Sequence, residues 1–452
     1  MSTSRRDFIK SLGISTAAAG LSSLTACVQP EKKKQLIPEM SPLQPPFRLA
    51  ENWYRQTIAR LQEKLGENGI DGMICKDVWN IIYLSGLFHS STERPFWLFI
   101  PKTGEPSIFG PGLDRDLIST WWIKDAEWYF DYPHHGEFNQ VVYTRGPRAD
   151  LDAWMLGHLA KRGFAEATLG IEKATPEATI NQWKKTLPKA NFKPAGDLLM
   201  KMRVVKTAEE IELTQKAIDL HDHTLEYARA YILDRGTNAT DFEVRHATQE
   251  YATHLLMKWL PLDGKPHTGV GISLNFGCRA GVATAYPHPN QFFYHKIQKG
   301  DAIQIASVIR LGGYGGEGYR ALQTNPMNDL QKKIWEVHTE QTITMGELCK
   351  AGTPCNEIAE KVLDIARKNG MEKYIYHRPA HGEGMEGHQE PYLSLGDETI
   401  LEEGMMFSNE PGLYNPEGGF GYNHSNNILV GKDTGIRMNK TPLTKEWCWL
   451  TV

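Results

Sequence analysis

Residues 377–391 read HRPAHGEGMEGHQEP, which places three histidines and three glutamates within fifteen positions. Imidazoles and carboxylates at that density can hold a divalent cation, move protons, or do both. Gly382 and Gly384, just after His381, suit close approach of the backbone to a site. A single loop rarely supplies a whole centre, so partners have to come from other parts of the chain. Glu410, in MMFSNEPG, is one such partner: an unpaired carboxylate in that apolar setting would be costly.

The elements that must carry these residues fall into two halves. From about Glu51 the chain alternates helical and strand-like segments. ENWYRQTIARLQEKLGENG has helical apolar spacing, whereas DGMICK, IIYLSG, PFWLFIP and PSIFG are short apolar runs between Gly, Pro and Asp, as in the strands of an α/β sheet. The alternation continues to about residue 190. Thr207 and Glu210 then form a capping box that opens a long amphipathic helix, with Ile211, Ala217, Ile218 and Leu225 on its apolar face. A boundary is expected near 200–206. Later helices are read from DLQKKIWEVHTEQTITMGEL and from NEIAEKVLDIARKNG, the second opened by Asn356 and closed by Gly370. Strand-like DAIQIASVI, GMMFSNEPGLY and SNNILVG make the second half α+β.

Composition narrows the class. A charge of −4 over 452 residues gives no basic field for nucleic acid, and 40% apolar with 23% charged residues is ordinary for a globular protein. The first residues, SRRDFIK and then LGISTAAAGLSSLTAC, form a twin-arginine pattern with an apolar run too short to span a membrane. Leu24-Thr25-Ala26-Cys27 resembles the box at which bacterial lipoproteins are cleaved and acylated on the cysteine. The expectation is a signal over 1–26, lipidation at Cys27, and a Pro- and Lys-rich tether over 27–47. That implies export and lipid anchoring in the periplasm or outer envelope. The other five cysteines include no CxxC and read as buried thiols.

Six segments in chain order together resemble the creatinase and Xaa-Pro aminopeptidase family. They are NIIYLSG, RVVKTAEEIEL, GDAIQIASVIRLGGYGGEGYR, the histidine-rich loop, GMMFSNEPGLY and GGFGYNHSNNILVGKDTG. The resemblance implies an α/β N-terminal domain over 48–202 and an α+β pita-bread catalytic domain over 203–452. It also implies five metal-ligand positions for a dinuclear centre. Here those positions are Ala306, Glu317, His381, Glu410 and Ser425, so the carboxylates that two dications require are incomplete.

The activity implied by this resemblance is that of an exported hydrolase, cleaving a C–N bond in a small peptide-like, amide or amidine substrate. His288 in TAYPHPNQ resembles the family's histidine beside the scissile bond and would be the base, with His381 as a second acid–base group. Glu410 and Glu317 would orient the substrate, as would His388 at the rim. No cofactor is expected; the alternative is one Mn, Zn or Fe ion on Glu317, His381 and Glu410, in a mononuclear Xaa-Pro peptidase. An inactive peptide or metabolite binder and lyase chemistry are the other readings. Arg94, eight residues after Gly86, matches an anion-binding arginine that reaches a partner subunit, which implies a homodimer and a carboxylate-bearing substrate. Thr92 and Tyr319 depart from the creatinase pattern, so creatine itself is not the expected substrate.

Overall fold

The computed structural model describes residues 34–89, 92–130, 137–138, 150–172, 175–261, 269–289 and 294–452. The expected signal and Cys27 lie outside these residues, as does the first part of the tether. The end of the tether is packed: Phe47 and Leu49 are buried, and Met40 and Leu43 lie against the same core.

The helix α1 (Glu51–Glu67) buries Tyr54, Ile58, Leu61 and Leu65, the stripe its apolar spacing defines. It covers one face of a seven-stranded sheet with spatial order β5-β4-β3-β2-β1-β6-β7. In chain order these are β1 (Gly72–Cys75), β2 (Trp97–Pro101), β3 (Ser107–Pro111), β4 (Asp125–Phe130), β5 (Glu137–Phe138), β6 (Thr168–Ile171) and β7 (Asn191–Pro194). The strands β1–β3 are buried along their whole length, as continuous apolar runs require when both faces are covered.

One segment departs from expectation. IIYLSG belongs to a helix, α2 (Val78–Ser85), and not to a strand. Asp77 caps it by accepting from the amides of Trp79 and Asn80 at 3.0 and 3.1 Å. Gly86 ends it at φ 67°, in the left-handed region. The cap and the glycine outweigh the strand preference of two isoleucines.

The second half begins at α3 (Ala208–Arg235), where both arms of the Thr207–Glu210 capping box are present. Ala217, Ile218 and Leu225 are buried and Ile211 is half-buried, close to the expected face. This helix packs on β9 (Ala302–Leu311) and β10 (Tyr314–Thr324), the centre of a four-stranded sheet that also holds β8 (Ser273–Ala280). A five-stranded sheet orders β11 (Ala380–Gly382) between β12 (Gln389–Leu393) and β13 (Met406–Asn409), followed by β16 (Asn426–Leu429) and β17 (Ile436–Arg437). A small hairpin, β14 (Leu413–Asn415) with β15 (Phe420–Tyr422), lies between β13 and β16 in the chain. The helix Cys355–Lys368 starts one residue before Asn356, with Pro354 and no side chain at its cap; Asn356 lies inside it.

A continuous apolar core joins the two halves. Residues Leu61, Leu84 and Leu98 share it with Leu213, Leu220, Ile309 and Tyr314. Among the described cysteines none is in a disulfide, and Cys75, Cys349, Cys355 and Cys448 are buried.

Thr207 carries two duties, because its hydroxyl also accepts from the indole of Trp53 at 3.0 Å. Thr207→Ala should therefore lower the urea-denaturation midpoint by the equivalent of about 1–2 kcal/mol, with Thr207→Ser restoring most of it. Equal midpoints for the alanine variant and the wild type would show that the cap is immaterial.

Candidate active site

Five strands and the histidine-rich loop converge on one cavity of about 840 Å³. Its wall takes Asn275, Gly277 and Arg279 from β8, Gln304, Ala306 and Val308 from β9, and Glu317 and Tyr319 from β10. Period-2 alternation explains the sets on β9 and β10, since alternate residues of a strand share a face, whereas β8 lends the wall Phe276 and Cys278 as well. His388 comes from the histidine-rich loop, Glu410 from the end of β13, and Tyr414 from β14.

His381 and Glu410 form the buried heart of the site. Nε2 of His381 lies 3.2 Å from Oε1 of Glu410, while its Nδ1 is 3.1 Å from the carbonyl of Gly382. The antiparallel pairing of β11 with β13, Ala380 opposite Asn409, brings them together. The His388 ring stacks on His381 at 3.8 Å, and His388 Nε2 is 3.8 Å from Glu317 Oε1. The other oxygen of Glu317 accepts from the hydroxyl of Tyr319.

Burial and like charge govern the protonation states. Burial opposes a charged His381, but Glu410, Glu383 and Glu317 outweigh it and raise the ring from 6.5 to about 9. Burial would raise Glu410, yet contact with His381 leaves it lowered. Glu317 is raised by burial and by Glu410. His388 is lowered by burial and by the charge on His381.

The placement of the sequence-derived residues is mixed. His288, Glu317, His388 and Glu410 all line the cavity, and His381 sits behind His388 in contact with Glu410. The three carboxylates around the His381 ring favour its protonated form. His288 is exposed at the rim. Arg94 pairs with Glu93 at 2.6 Å in the first domain and does not line the cavity of its own chain.

Three contributors escaped the sequence reading. Glu383 is fully buried, 3.4 Å from Arg310 Nη2, and raised to about 8 by burial and by Glu317. Its position two residues after His381 was the available signal. Arg279 holds the carbonyls of Tyr286 and Pro287 at 3.0 and 2.9 Å, and so sets the approach of His288. The Tyr414 hydroxyl lies 3.0 Å from His377 Nε2, in hydrogen-bond contact.

The donor set fits one divalent ion. Ligand atoms of Glu317, His381 and His388 lie within 4.8 Å of one another. Nε2 of His381 is buried and lacks an aligned hydrogen bond despite its nearness to Glu410, as expected of a ligand atom facing a shared partner. His388 thus stands beside two of the three residues expected of a mononuclear site, Glu317 and His381, while the third, Glu410, lies against His381. At the two other ligand positions that the resemblance implies, Ala306 offers no donor and Ser425 Oγ lies 2.8 Å from Ser408 Oγ.

Residues 212–432 match the metallopeptidase family M24, and residues 57–205 match the creatinase/prolidase N-terminal domain. The chain belongs to family M24. Its fold is accordingly a creatinase-type N-terminal domain followed by a pita-bread domain. Similar proteins include the Xaa-Pro dipeptidase of Pyrococcus horikoshii, 28% identical over 85% of this chain and 97% of the relative. The Xaa-Pro dipeptidase of Pyrococcus furiosus is 27% identical over 86% and 98%. Among solved structures, a prolidase from Thermococcus sibiricus superposes with a TM-score of 0.70 at 23% identity, covering 88% of this chain and 99% of that one. The N-terminal domain of FACT complex subunit SPT16 from Cicer arietinum shares the M24 fold at 12% identity and a TM-score of 0.65, over 88% and 99%. Fold alone therefore does not decide chemistry; the site does.

The contribution of His381 to stability is complete below pH 6.5 and is lost as pH rises through about 9. Glu383 adds a fall of the same sign between 4.5 and about 8. In chelator-treated protein the urea midpoint should decline across pH 6.5–9, and Glu410→Gln should flatten that part of the decline. An equally steep fall in the variant would remove Glu410 as the partner.

Proposed function

We propose that this M24 member hydrolyses the C–N bond of a small peptide-like substrate, of the Xaa-Pro dipeptide class, at the cavity between β8, β9, β10 and the histidine-rich loop. It is a hydrolase acting on C–N bonds, as its family and its dipeptidase relatives support. The observation that carries the reading is the convergence of His381, His388, Glu317 and Glu410 on one cavity, where two of five dinuclear ligand positions have lost their carboxylates.

Each side chain has a task that its surroundings permit. His381, held protonated by Glu410, keeps a proton available beside the reacting centre. His288 at the rim accepts the proton of the attacking water, positioned by the grip of Arg279 on the two preceding carbonyls. Glu410 and Glu317 orient a cationic or amide end of the substrate. The hydroxyl of Tyr414 and the guanidinium of Arg279 line the same cavity and provide fixed donors for developing negative charge. Glu317, His381 and His388 are the residues that would hold a single divalent ion, which when bound supplies a Lewis acid and lowers the pKa of water.

Metal analysis of purified protein, with an assay on Xaa-Pro dipeptides, tests this reading. His381→Ala and His288→Gln should each lower turnover by about 10²–10⁴-fold. If both variants turn over every cleavable dipeptide like the wild type, the catalytic assignment fails. If the wild type turns over no dipeptide, yet both variants weaken dipeptide binding, the chain is a binder instead. Because His381 must lose its proton to ligate, the affinity for Mn²⁺ should rise about tenfold per pH unit below about 9. A flat titration would take His381 out of the ligand set.

The leader implies that this activity is held at the cell envelope. Cys27→Ser should release the protein from the membrane fraction, and unchanged fractionation would discard the anchor.

A further inference from the structure

Glu317 offers its two oxygens to different neighbours. Oε1 faces His388, on the side where the imidazole ligand atoms cluster. Oε2 is taken by the hydroxyl of Tyr319. The backbone fixes where that tyrosine stands. On β10 it lies opposite Ala306 of β9, and it exchanges both main-chain hydrogen bonds with Ser425, at 3.2 and 3.1 Å. Both neighbours are short. Ala306 ends at Cβ, and the Ser425 hydroxyl is already shared between Ser408 Oγ and the carbonyl of Glu317. The large half-buried side chain among them is Tyr319, which also lines the cavity.

We propose that Tyr319 caps the second oxygen of Glu317 and fills the space beside it, so that the centre accepts one divalent cation and Glu317 can reach it only through Oε1. This rests on the proposed function, in which the site binds a cation at all. The chemistry is consistent throughout. A carboxylate bridging two ions needs one oxygen for each, and here one oxygen is satisfied by a neutral phenol. A second dication about 3.5–4 Å from the first needs extra carboxylate to offset the repulsion, and the neighbours of Tyr319 provide none. Tyr319 is on this account a positioning residue, acting through Glu317.

The experiment counts ions in the full-length protein after dialysis against Mn²⁺, by plasma mass spectrometry, with electron paramagnetic resonance to detect a spin-coupled pair. The forms compared are wild type, A306D/S425E, A306D/Y319A/S425E and A306D/Y319F/S425E. Restoring the two carboxylates while keeping Tyr319 should leave about one ion per chain, as in the wild type; removing the ring as well should give about two and a coupled spectrum. The phenylalanine version, which retains the bulk, should stay at about one. Two ions in A306D/S425E would overturn the proposal. So would a single ion in the alanine triple variant whose circular dichroism matches the wild type. Should the alanine variant fail to fold, A306D/Y319T/S425E carries the same expectation and the same power to refute. A wild type that binds no Mn²⁺, beside an alanine triple variant that binds two, would sink the one-ion reading of the native site while leaving the role of Tyr319 standing. Two ions in the wild type would sink both.

Discussion

Three glutamates crowd around His381, and that is the constraint on which the rest of the site depends. Glu410 raises the proton affinity of Glu317, and Glu317 that of Glu383, which is wholly out of solvent. Like charges at low dielectric cannot all persist without cations. The protein answers with His381 held as an imidazolium, with Arg310 against Glu383, and with raised proton affinity on Glu383 and Glu317. A divalent cation would answer the same need more fully. This is why the centre reads as a place for positive charge even though it lacks the full carboxylate set of a two-ion site.

The chamber stays in register because charged groups from distant elements brace its loop. Arg203, at the junction of the two halves, is buried and reaches both Asn80 in the first domain and Glu386 in the histidine-rich loop. Asn427 donates to the carbonyl of Glu317 at 3.0 Å, tying β16 to β10. Gly316 has to be glycine for space: a Cβ there would fall 1.7 Å from Asn427 Oδ1 and 3.0 Å from the carboxyl carbon of Glu383. These braces are polar and buried, so losing one partner leaves the other unsatisfied, at a greater cost than the net value of the bond.

Charge of both signs lines the cavity: the carboxylates of Glu317 and Glu410 and the guanidiniums of Arg245, Arg279 and Arg378. The M24 fold supplies the frame for this arrangement, but the replacements at Ala306 and Ser425 and the tyrosine between them are features of this chain.

Much was legible in the sequence because it rests on short-range chemistry. The Thr207–Glu210 capping box, the alternating faces of β9 and β10, and the histidine-rich loop each arise from spacing within a few residues. The structure brings His381, Glu410 and Glu317 together, whereas their ligand positions and the missing carboxylates at Ala306 and Ser425 were implied by the family resemblance. The sequence misled where two local preferences competed, as at Val78–Ser85, where Asp77 and Gly86 turn an apolar run into a helix. It was silent where function depends on contacts across hundreds of residues or between adjoining sheets. The gathering of His388 with Glu317 and His381, the pairing of Glu383 with Arg310, and the contact of Tyr319 with Glu317 were decided by tertiary structure alone. Burial sets the cost of a charge, and burial belongs to the folded chain and not to any stretch of it.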